Sequence, residues 1–180
     1  HSLLTLVRQP DDRLHASITQ YTLDSLTELD VPIDVFINLA GEGIADHSWS
    51  EKRKTTLYDS RVKLTKKVKE QLKNPPSTVV SMSAIGYYGN HSNGVFDERS
   101  APEGGFAHEL CQAWESAALE FTETGSRVII FRLGVVLGAN GGALRKMQPS
   151  YLLGLGGKIG QGTQWFSWVH RQDVLNAIIQ

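Results

Sequence analysis

The chain has 180 residues, with 18 Lys and Arg residues against 19 Asp and Glu residues, and its formal net charge is −1 with neutral His. This balance argues against a nucleic-acid partner that binds through bulk electrostatics. Hydrophobic residues make up 41% of the chain and charged residues 21%, a composition that excludes a disordered or collagen-like chain. The length is typical of one domain. The single cysteine, Cys111, cannot form an internal disulfide. The sequence has no apolar run of about 18 residues, so no transmembrane helix is predicted and a cytoplasmic location is expected.

Short apolar strands alternate with amphipathic helices along the chain. Strands are predicted at residues 4–7, 18–23, 34–38, 78–82 and 127–133, and helices at 23–29, 50–72, 106–121, 143–153 and from 173 onward. The run at 128–131 is too uniformly apolar for a half-exposed sheet and is typical of parallel strands covered on both faces. The predicted fold class is therefore α/β, with a doubly wound parallel sheet of the Rossmann type.

Distinctive residues follow four of the predicted strands. In such sheets, ligands bind at the carboxyl ends of the strands. The four ends carry Arg8, then Asn38-Leu39-Ala40-Gly41, then Ser81-Met82-Ser83-Ala84 ahead of Tyr87, and finally Arg132-Leu133-Gly134-Val135. Small residues let a ligand approach backbone N–H groups closely, and hydroxyl groups can hydrogen-bond a polar ring or a ribose.

These segments resemble the extended short-chain dehydrogenase/reductase superfamily, which includes the UDP-galactose 4-epimerases. The matching pieces are residues 38–41, the Ser-x-Ser-Ala and Tyr-Gly stretch at 81–89, residues 132–138, and Val169-His170 with Asp173. Glu42, Ser60-Arg61, Cys111 with Trp114, the glycines at 154–160 and Gln164-Trp165 are similar to the NAD(P)-binding epimerase-family branch, which is nucleoside-diphosphate-sugar epimerase-like. The resemblance covers nearly all of the chain.

The resemblance implies a set of cofactor-binding residues. They are Arg8, Asn38, Leu39, Ala40, Gly41, Glu42, Ser81, Met82, Arg132, Gly134 and Val135. Arg8 stands where an acidic residue would hold the ribose 2′-hydroxyl of NAD, whereas an arginine can pair with the 2′-phosphate of NADP. NADP is therefore expected over NAD, against the alternative that Arg8 is an ordinary surface residue. Glu42 is expected either to face the nicotinamide pocket or to lie in solvent.

Two side chains are candidates for catalysis. Ser83 matches the superfamily's catalytic serine and would hydrogen-bond a substrate carbonyl or hydroxyl, and Tyr87 would act as the acid if its hydroxyl enters the cleft. The alternatives are a serine that satisfies backbone groups at a strand end and a tyrosine that only packs. The superfamily's Tyr-x-x-x-Lys pair, in which lysine lowers the tyrosine pKa, corresponds here to Ala107 and Cys111, which cannot exchange protons in that way.

The superfamily's opening strand, glycine-rich turn and helix, which hold the pyrophosphate, also have no counterpart here. We therefore expect residues 1–180 to be a partial NAD(P)-binding domain from the middle of a longer protein. Residues 142–170 are expected to begin the substrate side, where Met147, Gln164 and Trp165 are candidate contacts because aromatic faces stack on rings or sugars. The alternative is that these aromatic residues pack into the core.

The predicted function is that of an NADP-dependent oxidoreductase or epimerase-like enzyme. Its substrate is expected to be a small molecule, for example one that resembles a sugar nucleotide, and no nucleic-acid or membrane partner is expected. The six His residues show no ligand spacing, so no metal site is expected. Because the Tyr/Lys pair is missing, the alternative is a non-catalytic NADP(H)-binding sensor or interaction protein. The sequence indicates no oligomeric state.

Overall fold

A computed structural model describes residues 2–91, 93–139, 141–158 and 160–180. The strands are β1 (Leu4–Leu6), β2 (Thr19–Tyr21), β3 (Val35–Asn38), β4 (Thr78–Ala84), β5 (Arg127–Leu133), β6 (Val135–Gly138) and β7 (Trp168–His170). The α-helices are α1 (Glu51–Tyr58), α2 (Leu64–Gln71), α3 (Phe106–Leu119), α4 (Gly142–Leu152) and α5 (Arg171–Ile179). A π-helical segment, Asp59–Lys63, joins α1 to α2, and 3-10 turns lie at Leu26–Glu28, Ile85–Tyr88 and Glu120–Thr124.

The strands form three groups, β1-β2, β3-β4-β5 and β6-β7. The pairs β1–β2, β3–β4 and β6–β7 all run parallel. In the β3–β4 register Asn38 lies opposite Ser81, so the two residues reach the carboxyl end of the sheet together. Parallel strands alternating with helices confirm the predicted α/β fold of the Rossmann type.

The chain divides into two compact units, one up to Ser81 together with Gln112–Ile130, the other Met82–Cys111 with Phe131–Gln180. The first unit contains a core of Leu26, Leu29 and Val68, packed by partly buried apolar residues from β1, β2, β3 and α2. The predicted long helix at 50–72 is confirmed over α1, the π-helical segment and α2. It begins at Ser50, whose hydroxyl accepts a hydrogen bond from the Arg53 N–H at 3.3 Å.

Two expectations for the first unit differ from the structure. The helix predicted at 23–29 is only the 3-10 turn Leu26–Glu28, because the backbone is already extended at Leu29, where ψ is 105°. The described residues also do not cover both faces of β3, although the sequence predicted that they would. Val35 and Ile37 are 50% and 43% exposed, while Phe36 packs 5.9 Å from Phe121 between ring centroids.

The second unit contains two strands that the sequence did not predict, β6 and β7. Their register places Val135 opposite Trp168, and the Val135 N–H donates to the Ser167 carbonyl at 2.9 Å. A Cβ on Gly134 would lie 2.7 Å from that carbonyl oxygen, so this close approach of two backbones requires glycine. The predicted helices at 143–153 and from 173 onward are confirmed as α4 and α5.

Candidate functional site

The carboxyl end of β1 opens on a cavity of about 620 Å³, lined by Val7, Arg8, Gln9, Pro10, Asp11 and Arg13. The Arg13 guanidinium donates to both Asp11 carboxylate oxygens, at 2.8 and 2.7 Å. These hydrogen bonds lower the pKa of Asp11 to about 2. The Gln20 side chain holds the same turn through the Asp11 N–H and carbonyl. Sequence reasoning found Arg8 and missed Arg13, whose signal was its two-residue spacing from an aspartate in a turn.

Glu42 pairs with Arg8 in a partly exposed position, and its predicted place beside the cofactor stays a prediction. Arg8 Nη2 donates to Glu42 Oε1 at 2.7 Å, and Arg53 Nη1 lies 3.6 Å from Oε2. Arg8, and more weakly Arg53, hold the pKa of Glu42 below its usual range. The Glu42 backbone is fixed as well, because its N–H donates to Ser60 Oγ at 3.1 Å and its carbonyl accepts from Arg61 at 2.8 Å.

The loop after β3 is shaped by Asn38. Its Nδ2 donates to Thr65 Oγ1 at 2.8 Å, and its Oδ1 accepts the Ala40 N–H at 3.2 Å. Asn38 itself is buried, whereas Leu39 is 67% exposed. Asn38 therefore anchors the loop, in which Leu39 and Gly41 are exposed and Ala40 is half-buried, and the cofactor role predicted for this segment stays a prediction.

Arg61 supports this loop from the helical side. Its guanidinium lies 5.1 Å from the Trp114 ring centroid, and a Cβ on Gly41 would come within 2.9 Å of Arg61 Cζ. Glycine at position 41 thus lets the loop backbone approach the guanidinium. Ser60-Arg61 and Trp114 were noted in the sequence as family motifs, and the structure shows that they hold the loop and Glu42.

Serines and a methionine at the end of β4 are all buried. Ser81 is 1%, Met82 8% and Ser83 4% exposed. Ser81 belongs to the first compact unit, and Met82 and Ser83 belong to the second. Their placement at a strand end agrees with the sequence prediction, and the roles predicted for these three residues stay predictions.

In the second unit Arg132 lies over two tyrosines. Its Cζ is 3.4 Å from the Tyr87 ring centroid and 5.2 Å from that of Tyr88, which are cation–π distances. Arg132 Nη1 also donates to Tyr88 Oη at 3.1 Å and to the Glu98 carbonyl at 3.3 Å. Sequence reasoning selected Tyr87, but the hydroxyl that the guanidinium reaches belongs to Tyr88. His108, which the sequence also missed, donates through Nδ1 to the Tyr87 carbonyl at 2.8 Å.

The candidate substrate residues are not brought to one place. Met147 lines a cavity of about 440 Å³ with Ala139, Leu144, Gln148 and Tyr151. Trp165 is 81% exposed, and neither it nor Gln164 lines that cavity. Gly134 and Val135 lie at the contact between β6 and β7, and their predicted role in cofactor binding stays a prediction. Among the described residues no group of three His, Cys, Asp or Glu side chains is placed to hold a metal ion, and no helix is long and apolar enough to cross a membrane.

The sequence matches the NAD dependent epimerase/dehydratase family over residues 7–180. The chain belongs to this family. An epimerase family protein of Mycobacterium bovis is 36% identical over 182 residues, which cover 99% of this chain and 60% of that protein. The epimerase family protein SDR39U1 homolog of Arabidopsis thaliana, described as chloroplastic, is 41% identical over 149 residues, covering 80% of this chain and 42% of that protein.

Solved structures of epimerase-family proteins share the fold. Human epimerase family protein SDR39U1 (isoform 2), crystallised with NADPH, has a TM-score of 0.85 and 30% identity, covering 99% of this chain and 61% of that one. A nucleoside-diphosphate sugar epimerase from Corynebacterium glutamicum has a TM-score of 0.77 and 30% identity, covering 99% of this chain and 38% of that one. The resemblance predicted from the sequence is confirmed, and the present chain spans 60% of the mycobacterial relative.

At the positions predicted from the sequence to correspond to Tyr-x-x-x-Lys, this epimerase-family chain has Ala107 and Cys111. A Cβ on Gly86 would lie 3.4 Å from Ala107 Cβ and 3.8 Å from Cys111 Sγ, which are ordinary van der Waals distances, so α3 lies beside the turn after β4. Cys111 is buried at 5% exposure. A buried thiol on an apolar helix face is typical of packing rather than of reactivity.

Proposed function

We propose that this epimerase-family chain contributes an NADP(H)-binding site to an oxidoreductase or epimerase-like enzyme with a small-molecule substrate. The observation that carries the proposal is the exposed guanidinium of Arg8 in the wall of a solvent-open cavity at the carboxyl end of β1. The planar guanidinium matches a phosphate through paired hydrogen bonds. The human relative crystallised with NADPH supports this choice of cofactor.

The charges around the cavity fit a phosphorylated ribose better than an unphosphorylated one. An NAD site uses a carboxylate to hold the ribose 2′-hydroxyl. The carboxylate in this cavity wall, Asp11, is already bound by Arg13 through both oxygens. Arg8, by contrast, is 82% exposed, so its guanidinium is accessible to a ligand.

The chain's residues would divide binding and chemistry between them. Arg8 would bind the 2′-phosphate, and the backbone of residues 39–41 would lie along the cofactor. NADP(H), when bound, supplies hydride-transfer chemistry. Ser83 would orient the substrate. Tyr88, whose hydroxyl accepts a hydrogen bond from Arg132 at 3.1 Å, joins Tyr87 as a candidate proton donor.

A second candidate function is a non-catalytic NADP(H)-binding sensor. The residues at the predicted acid–base positions of α3, Ala107 and Cys111, favour it, because neither is a tyrosine or a lysine. The sensor and the enzyme share the cofactor site and differ only in turnover. Turnover on a panel of substrates therefore separates them.

The cofactor assignment is tested by calorimetric titration of the intact protein with NADPH and NADH. Wild-type protein is expected to prefer NADPH, and Arg8→Gln is expected to weaken NADPH binding by about tenfold, the range of one charge-assisted hydrogen bond, while NADH binding changes little. Arg127→Gln removes an exposed arginine elsewhere and serves as the control. Equal affinity of the wild-type protein for the two nucleotides would overturn the assignment.

Turnover is tested by following NADPH absorbance at 340 nm with a panel of carbonyl compounds and nucleoside-diphosphate sugars. Oxidation that Ser83→Ala abolishes without changing NADPH affinity would support the enzyme. Tight NADPH binding with no oxidation across the panel would favour the sensor.

A further inference from the structure

Glu42 is shared between two arginines of very different exposure. Arg8 makes the short contact, 2.7 Å, and its side chain is 82% exposed, whereas Arg53 lies 3.6 Å away and is 13% exposed. The backbone of Glu42 is held on both sides by Ser60 and Arg61. The carboxylate can therefore change partner by side-chain rotation while the loop stays in place.

Arg53 has a hydrogen-bond donor that this carboxylate could use. Its Nη2 donates to the Gly43 carbonyl at 2.5 Å, which fixes the guanidinium, but its buried Nε has no hydrogen-bond partner among the described residues. A buried donor without a partner is costly and becomes satisfied if a carboxylate moves onto it. The Nε and Nη groups of one arginine can hold a carboxylate through two parallel hydrogen bonds.

We propose that Glu42 tunes the affinity for a ribose 2′-phosphate by occupying the Arg8 guanidinium until the phosphate displaces it onto Arg53. This inference rests on the proposed NADP(H) site. Glu42 is the chain's own anion on Arg8, so a neutral 2′-hydroxyl cannot compete for the guanidinium, whereas a dianionic phosphate can. Arg53 then receives the released carboxylate, which keeps Glu42 paired in both states.

The first test measures binding of adenosine 2′-phosphate and NADPH to the intact protein by calorimetry. Glu42→Gln keeps the shape of the side chain and removes the competing charge, so both ligands are expected to bind about threefold to fivefold more tightly, the size of one exposed ion pair. NADH affinity is expected to stay unchanged. Glu51→Gln removes an equal charge from the exposed Glu51–Lys54 pair on α1 and is expected to leave all three affinities unchanged.

The second test examines the role of Arg53 with a double-mutant cycle. Arg53→Gln removes the alternative partner, so Glu42 stays on Arg8 and adenosine 2′-phosphate is expected to bind a few-fold more weakly. In the Glu42→Gln background the same substitution is expected to have no effect, since no carboxylate needs a second partner. A purely structural role of Arg53 would weaken binding equally in both backgrounds, which would overturn the inference.

The remaining outcomes separate this inference from the proposed function. If NADPH binds the wild-type protein and Glu42→Gln binds it no more tightly, the cofactor site stands and the role of Glu42 is wrong. If Glu42→Gln tightens NADH as much as NADPH, the effect is general electrostatics and the proposed competition between Glu42 and the 2′-phosphate is again wrong. If no variant binds adenosine 2′-phosphate or NADPH, both proposals fail together.

Discussion

The hydrogen bond between Asn38 and Thr65 controls how the loop after β3 is held. The donor and acceptor atoms are 2.8 Å apart, and the two residues are 4% and 1% exposed. Asn38→Leu also removes the acceptor of the Ala40 N–H, and Thr65→Val removes the hydroxyl that donates to the Arg61 carbonyl at 2.6 Å. A buried polar group left unpaired costs ~1–3 kcal/mol, so each substitution is expected to lower the free energy of unfolding by about 2 kcal/mol.

In the double variant the amide and its acceptor are absent together, so its loss of stability is expected to be about 1 kcal/mol smaller than the sum of the two single losses. Urea unfolding of all four proteins, followed by circular dichroism and tryptophan fluorescence, measures this difference. Thr56→Val makes the same chemical change on the exposed side of α1 and is expected to alter stability by less than about 0.5 kcal/mol. Single losses that add to within about 0.5 kcal/mol would refute the bond as the anchor of the loop.

Two further predictions concern packing and pH. Gly134→Ala places a Cβ 2.7 Å from the Ser167 carbonyl oxygen, and urea unfolding is expected to show that the free energy of unfolding falls by about 1–3 kcal/mol. The control Gly157→Ala, with no atom within 4 Å of the added Cβ, is expected to leave stability unchanged. Equal effects of the two substitutions would contradict the close β6–β7 approach. Arg13→Gln is expected to raise the Asp11 pKa from about 2 towards 3.8, read by carboxyl-carbon NMR titration. Because the folded pKa is the lower one, the Asp11–Arg13 pair stabilises the fold above pH 3.8 and loses this effect as the pH falls towards 2, and an unchanged Asp11 titration would exclude the pair.

Local sequence pattern accounts for most of the secondary structure. Apolar runs at 34–38 and 127–133 became β3 and β5 within a residue or two, and the helical periodicity at 50–72 became α1, the π-helical segment and α2. Such elements are visible because their side-chain spacing repeats along the chain. β6 and β7 could not be predicted from the sequence, because each has four residues or fewer. Each forms a strand only by pairing with the other, some thirty positions away.

The strand ends and the family resemblance are also readable from the sequence, and together they select Arg8, Ser83 and the loop at 38–41. What these side chains contact is not readable in the same way. Glu42 is the plainest case, since its ion pair with Arg8 joins residues 34 positions apart and its second arginine lies on a helix. The choice between Tyr87 and Tyr88 is likewise undetermined by sequence, because two adjacent tyrosines are equivalent until Arg132 reaches one hydroxyl.

Composition and periodicity by themselves determined the α/β class, the parallel strands and the positions at which a ligand-binding edge would form. They are properties of neighbouring residues, and short-range sterics and hydrophobic patterning set them. Only the tertiary structure decided which distant charges meet, namely Glu42 with Arg8 and Arg53. Ion pairs and cation–π contacts act over a few ångströms, so they depend on where the folded backbone brings distant residues together.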